Sequence, residues 1–345
     1  MTVQTDTQPI RISILALPES TPAAIYGLYE MFSSVGVIWP ELTGEGEARP
    51  RFRVEIVSLD GAPYACPIGI TIAPNAALAD VTATDVIIAT DLALSHDFEP
   101  QGHWPEMAEW LRARHAEGAI VCSVCTGSVL LATAGLLDGE HATTHWSACD
   151  LFARHFPRVA LCPERIVLPA GEGHRVITSG GASSWEDLVL YLIGRLCSPA
   201  EAIHTAKIFL LGDRSEGQLP YAALVRPRSH ADGVIRACQE WVGMHYDDTN
   251  PVARMVERSG LNERTFKRRF RAATGHSPMD YVQTLRIEEA KQTLETSDTA
   301  TDEIAYSLGY DDPTYFRRLF KKRTGITPGR YRQRYRSVTQ IRDTV

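Results

Sequence analysis

Seven residues near the C-terminus recur at one fixed spacing, and no other feature of the 345-residue chain restricts its fold as tightly. Phe266, Arg268, Phe270, Thr274, Gly275, Pro278 and Tyr281 reappear as Phe316, Arg318, Phe320, Thr324, Gly325, Pro328 and Tyr331, each 50 positions later. Identities held in one register indicate two copies of one supersecondary unit. In the first copy a short helix, Val252–Ser259, leads through Gly260 and Leu261 to Asn262, which can cap a second helix reaching Ala273. In the second, Asp302–Leu308 leads through Gly309 and Tyr310 to Asp311 or Asp312, which can cap a helix reaching Arg323. Both copies read as helix-turn-helix units. The second turn is one residue longer, and Pro313 is tolerated near its helix start because early helical N–H groups lack intrahelical acceptors.

The second helix of each copy carries two phenylalanines at i and i+4, which places an apolar anchor on one face. Around them stand Arg264, Lys267, Arg268 and Arg271, then Arg317, Arg318, Lys321, Lys322 and Arg323. Core on one side and cations on the other suits a helix lying in the DNA major groove, with Arg or Lys meeting guanine acceptors or phosphates. Two such helices should enter successive groove segments about 34 Å apart on one face of the duplex. Between the copies, Met279–Thr296 aligns Ile287, Ala290 and Leu294 on a stripe broadened by Val282 and Leu285, the pattern of a helix that fixes the two units together. The charge distribution agrees: the formal charge is −11 through Ser229 and +4 from His230 onward, so the net −7 conceals a basic tail.

The preceding half has a different rhythm. Ile10–Leu17, Phe52–Leu59, Asp85–Ala89 and Ala119–Val124 read as strands, and Ala23–Val35, Pro105–Glu117 and Gly127–Ala134 as helices, which predicts a largely parallel sheet covered on both faces. Helices are also predicted over Ser184–Leu196 and Pro199–Leu211. The turn-rich segment 212–232 separates a domain at 10–211 from an all-helical domain at 233–336. At 44% apolar and 22% charged residues, with scattered Gly and Pro, collagen and disordered chains are excluded. Seven cysteines contain a single C-x-x-C pair, Cys122 and Cys125, so neither a disulfide framework nor a four-thiolate metal site is expected. The N-terminal segment has no positive region before its short apolar strand, so the expectation is a cytoplasmic protein without a membrane span.

The strand Ala119–Val124 runs directly into Cys125-Thr126-Gly127-Ser128 and a helix. A strand–tight-turn–helix exposes a side chain at the bend and aims helix N–H groups at it, so a lowered pKa and a nucleophilic Cys125 are expected. His145 is the candidate base and Asp187 a more distant acidic candidate. A structural or ligand-binding role for Cys125 is favoured over catalysis, because buried inert cysteines are common.

The tail resembles the AraC/XylS family of transcriptional regulators over about 100 residues. The resemblance is carried by Gly260-Leu261-Asn262, Arg268-Arg269-Phe270, Thr274-Gly275-His276-Ser277-Pro278, Leu285-Arg286-Ile287-Glu288-Glu289-Ala290, Leu308-Gly309-Tyr310 and Thr324-Gly325-Ile326-Thr327-Pro328. It implies tandem helix-turn-helix units, frequently activating transcription. Arg264, Lys267, Arg268 and Arg271 become DNA-contact candidates in the first unit, and Thr314, Tyr315, Arg318 and Lys321 in the second. Val256 stands where the family usually has Ala.

Residues 10–195 resemble the ThiJ/PfpI, class-I glutamine-amidotransferase-like superfamily, clearest in Cys125-Thr126-Gly127, Ala134-Gly135-Leu136-Leu137-Asp138-Gly139, Thr143-Thr144-His145-Trp146 and Ile177-Thr178-Ser179-Gly180-Gly181. This implies a flavodoxin-like three-layer α/β sandwich with Cys125 at the nucleophile elbow. Peptidase-like relatives place His directly after the cysteine, where this chain has Thr126, and the anionic Asp91 would oppose a developing oxyanion. No catalytic residue, metal or cofactor is therefore expected, and the chain is read as a non-enzyme. Together the domains resemble GlxA-type regulators. That implies double-stranded DNA as partner, a homodimer, a contact with RNA polymerase, no membrane partner, and a small-molecule effector such as an amino acid or other nitrogenous metabolite, with Cys125, His145 and Asp91 as pocket candidates. The alternatives are a cysteine-dependent amidase or hydrolase with an attached regulatory domain, and a helical-repeat scaffold that does not bind DNA.

Overall fold

Strands apolar at consecutive positions need cover on both faces, and the N-terminal half supplies it. The computed structural model describes residues 8–95, 97–212, 217–222 and 230–339, with side chains through residue 335. The chain divides into two units, Met1–Gln218 and Leu219–Val345.

In the first unit the strands are β1 Ile10–Leu15, β2 Phe52–Ser58, β3 Tyr64–Ala65, β4 Thr71–Ile72, β5 Ala76–Ala77 and β6 Val86–Ala89. They continue as β7 Ile120–Val124, β8 His141–Ala142, β9 Ala160–Leu161, β10 Val167–Ala170 and β11 Val176–Ser179. The main sheet has the order β10-β11-β7-β6-β1-β2-β5, with β10 antiparallel to β11 and the other pairings parallel. The helices are α1 Pro22–Ser34, α2 Ile38–Thr43, α3 Pro105–Ala116, α4 Ser128–Thr133, α5 Cys149–His155, α6 Trp185–Leu196 and α7 Pro199–Ile208.

Alternation along the strands feeds two cores. Ile12, Ile14, Ile88 and Val124 pack against Leu28 and Phe32 of α1 and Leu188 and Leu192 of α6. Leu15, Ile87, Ala89 and Val121 pack instead with Leu111 of α3, Leu130 of α4 and Phe152 of α5. The result is the expected three-layer α/β sandwich. Three local readings differ. The helix predicted from Gly127 is preceded by a 3-10 turn, Cys125–Gly127, because Cys125 adopts φ +56°. Helix α7 stops at Ile208 rather than Leu211, where Leu210 turns left-handed at φ +54°. The antiparallel β10 was not anticipated, since its four half-buried residues include Pro169.

The second unit is helical: α8 Gly233–Gly243, α9 Pro251–Ser259, α10 Glu263–Thr274, α11 Pro278–Thr296, α12 Thr301–Ser307, α13 Pro313–Thr324 and α14 Pro328–Thr339. The duplication is visible in its termini. Asn262 Oδ1 accepts from Thr265 N at 2.9 Å to start α10, and Asp312 Oδ1 from Thr314 N at 2.8 Å to start α13. Both helices end on a glycine at φ +79°, Gly275 and Gly325, a conformation that side chains resist. Helix α11 joins the halves: Tyr281 and Val282 enter the core of the first, and Ile287, Ala290 and Leu294 that of the second. Val256 packs against the first core without disturbing α9.

The segment 212–232 lies partly outside the described residues, at 213–216 and 223–229. Its described part is anchored. In the first unit the buried Gln218 donates from Nε2 to Thr144 O at 2.7 Å and accepts from Trp146 N at 3.2 Å. In the second, Pro220 O accepts from Tyr335 Oη at 2.8 Å, and Ala222 O accepts from Lys291.

Arg286 is, with Lys291, a buried cation of the helical unit. It donates to Tyr246 O (2.6 Å), Asp248 O (2.7 Å) and Gly309 O (3.1 Å), and lies over the Tyr310 ring. It thereby ties the turn of the second helix-turn-helix to the loop between α8 and α9. Arg286→Met should leave these carbonyls unpaired and destabilise the unit by about 2–4 kcal/mol, measured by urea unfolding; an unchanged midpoint would remove Arg286 from this role.

Candidate functional sites

On α10 and α13 the division between core and surface is complete. Phe266, Phe270, Phe316 and Phe320 are all at 0% exposure. Arg264, Lys267, Arg268 and Arg271 are exposed on α10, and Thr314, Tyr315, Arg318 and Lys321 on α13. Among the described residues, Arg264, Arg268, Arg271, Arg318 and Lys321 enter no ion pair, whereas Lys267 pairs with Glu263. Tyr315 Oη accepts from Gln283 Nε2 of α11 at 3.2 Å, which orients its ring. Other cations of these helices have structural partners: Arg269 is bidentate to Asp232, Arg317 binds Asp302, and Arg323 binds Asp280. That partition sorts scaffold cations from those available to a polyanion, and it could not be read from a run of Arg and Lys alone.

In the first unit the C-terminal ends of β6 and β7 carry Asp91 and Cys125, and His145 follows β8. Cys125 sits at the bend after β7, and its positive φ is a strained conformation for a residue with a side chain. Gly127 permits the close packing of the bend, since a Cβ there would lie 2.4 Å from Ala89 O and 2.5 Å from Thr90 O. Thr126 Oγ1 locks it to the loop after β6, donating to Leu92 O at 2.7 Å and accepting from Leu92 N at 2.8 Å. Thus Thr126, in place of a histidine, is a backbone clasp.

Asp91 is buried in the same loop, and Thr21 donates a hydrogen bond to its Oδ2. Burial raises its pKa against the opposing effect of that bond. The expected lowering of the Cys125 pKa is corrected: burial, reinforced by the Asp91 carboxylate, pushes the thiol up to about 12. Burial also lowers the pKa of His145. Its Nδ1 lies 2.6 Å from Ser147 Oγ, and no hydrogen bond joins the ring to Cys125. The neighbouring Thr144 does reach the bend, donating to Cys125 O at 3.3 Å. Asp91 and Cys125 are therefore brought together, whereas the ring of His145 bonds to Ser147 and the contact to the bend comes from the neighbouring Thr144. Thr126 and Thr144 are the missed residues; both stand in the quoted motifs but carry no charge to single them out.

The sequence model of the DJ-1/PfpI family matches residues 37–193, and that of a helix-turn-helix domain matches residues 255–334. The HTH-type transcriptional regulator CdhR of Pseudomonas aeruginosa is 28% identical over 285 residues, 81% of this chain and 82% of that one. The HTH-type transcriptional regulator GlxA of Rhizobium meliloti is 26% identical over 229 residues, 65% of this chain and 68% of that one. Isonitrile hydratase of Pseudomonas putida is 27% identical over 215 residues, 62% of this chain and 79% of that one.

Outward cations on a duplicated helix-turn-helix, joined to such an α/β domain, define a sequence-specific DNA-binding transcriptional regulator. The chain is an AraC/XylS-like regulator fused to a ThiJ/PfpI-like N-terminal domain, and it matches GlxA-type regulators. One expectation is overturned. The reading as a non-enzyme does not stand, because the similarity to isonitrile hydratase spans most of that enzyme and Cys125 retains a strained bend of the kind that presents a nucleophile.

The raised Asp91 pKa has a definite consequence for stability. The folded state holds the proton more tightly than the unfolded chain, so stability is fully present below about pH 4 and falls as pH rises through the folded-state value. Asp91→Asn should remove this component and raise the melting temperature near neutral pH, as measured by thermal melts across a pH series. Superimposable curves for the two proteins would contradict it.

Proposed function

We propose that the chain is a ligand-responsive regulator in which residues 10–211 sense an effector and dimerise, residues 212–232 link, and residues 233–336 read DNA. The observation that carries the reading is the pair of equivalent helices with buried phenylalanines and outward cations, of which Arg264, Arg268, Arg271, Arg318 and Lys321 enter no ion pair among the described residues. Arg264, Lys267, Arg268 and Arg271 contact bases or phosphates in one groove segment, and Thr314, Tyr315, Arg318 and Lys321 in the next. The effector binds near Cys125, Asp91 and His145. Regulation follows if it has unequal affinity for two arrangements of the homodimer, one of them suited to contact RNA polymerase. The acidic N-terminal half limits nonspecific attraction of the basic tail to polyanions. Among the described residues no helix is long and apolar enough to cross a membrane, which accords with action on DNA in the cytoplasm.

A second reading, favoured by the strained Cys125 and the likeness to a hydratase, is a cysteine-dependent activity of the N-terminal domain. Turnover lost in Cys125→Ser would support it; the high thiol pKa requires that substrate or a moved base activate the sulfur.

DNA reading is tested by comparing Arg268→Ala and Arg318→Ala with the unaltered chain on promoter-proximal DNA across a salt series. Loss of a base contact should cost about 1–3 kcal/mol of discrimination, and loss of a phosphate contact should weaken all sequences alike and reduce the salt slope by about 1. A folded double variant with unaltered affinity and footprint would reject both contacts.

A further inference from the structure

A separate cleft of about 420 Å³ opens beyond the carboxyl ends of β1 and β2, and Cys125 does not line it. Its walls come from the segment after β1, the segment between β2 and β3, and the start of α3. The charged residues lining it are all acidic: Glu19, Asp60 and Glu106. Tyr64 and Trp104 supply its aromatic surface.

Among the described residues, three that line it hold buried polar atoms with no hydrogen-bond partner: Glu19 Oε2 and Tyr64 Oη, which can accept from a cation's N–H, and Trp104 Nε1, which only donates. Buried polar atoms are rarely left so, because desolvation without a partner is costly. Trp104 also stands at φ +51°, a conformation unusual for a bulky residue, immediately before Pro105 opens α3. It is held there by stacking on Phe98, with ring centroids 5.3 Å apart. Burial above all, with smaller contributions from Cys66, Tyr26 and Glu19, raises the pKa of the Tyr64 phenol and holds it protonated.

We propose that this cleft binds a small organic cation bearing N–H groups, an alkylammonium or a guanidinium. An all-acidic wall repels anions and attracts cations. Aromatic faces add a cation–π attraction. The unpartnered carboxylate oxygen of Glu19 needs a donor, which an ammonium or guanidinium N–H supplies and a quaternary ammonium does not. The cleft is a second ligand site, beyond the one near Cys125, Asp91 and His145, and it rests on the ligand-responsive reading for its regulatory consequence.

The test is isothermal titration calorimetry of the full chain with agmatine and with butylammonium, using tetramethylammonium and succinate as comparators. At least one of the two amines should bind saturably, with tetramethylammonium roughly tenfold or more weaker and succinate showing no saturable heat. Glu19→Gln should weaken the amine roughly tenfold or more. Tyr64→Phe, which removes only the hydroxyl, replaces Glu19→Gln if circular dichroism shows that variant unfolded, with weaker binding again expected. No saturable heat from either amine, equal binding by the folded variant, or tighter binding of tetramethylammonium or succinate would overturn the proposal. Footprinting of the same protein on promoter DNA separates the two readings. An intact footprint without amine binding removes the cleft and spares the regulator, whereas amine binding that never alters the footprint keeps the cleft and removes the regulatory consequence.

Discussion

Four phenylalanine rings buried in pairs determine what the C-terminal unit can present to a partner. Phe266 and Phe270 anchor α10 as Phe316 and Phe320 anchor α13. The i, i+4 spacing leaves one rotational setting of each helix in which both rings are covered. Arg268 and Arg318 then face solvent without any further device. Truncating one such ring in a closed core typically costs about 3–5 kcal/mol, several times the worth of a surface ion pair, so core packing and not charge decides the orientation. Helix α11 extends this control by entering both cores, and Arg286 adds directional bonds where apolar packing alone would allow the halves to slide.

In the α/β unit the same division separates scaffold from chemistry. Strands covered on both faces leave functional groups only at the sheet ends, and Cys125, Asp91 and Glu19 all follow strands of the parallel core. The crossover from β2 through β5 back to β6, on the far side of β1, makes a switch point there, where doubly wound sheets open a crevice. Strain at Cys125 is supported by the Thr126 clasp and by the bare Cα of Gly127. Burial opposes its ionisation, so this bend combines the shape of a nucleophile's seat with the electrostatics of a neutral thiol.

Much of this was legible before any coordinates, for identifiable reasons. The repeat could be read because both copies keep the anchors, the capping positions and the terminal glycines, each tied to a separate physical requirement. Strand β6 could be read because double-sided burial produces an uninterrupted apolar run, and β1 and β2 because apolar residues return at alternate positions between Arg, Ser and Glu. Proline-containing β10 and the six-residue α2 carry too little pattern to stand out. The sign of the Cys125 shift was misjudged because a strand–turn–helix motif suggests helix N–H groups near the sulfur but says nothing of burial or of the carboxylate from another loop. Partners such as Asp232 for Arg269, 37 residues apart, are likewise invisible to local pattern. The cleft beside Glu19 depends on three segments far apart in the chain, and no window of sequence contains it.

The two reading helices are the centre of the account, and hydroxyl-radical footprinting of the full chain on its own promoter-proximal DNA addresses them most directly. Each chain should protect two segments about 10 base pairs apart on one face of the duplex, with Arg268→Ala weakening one and Arg318→Ala the other. A single protected segment, or protection that neither substitution alters in a folded protein, would contradict it.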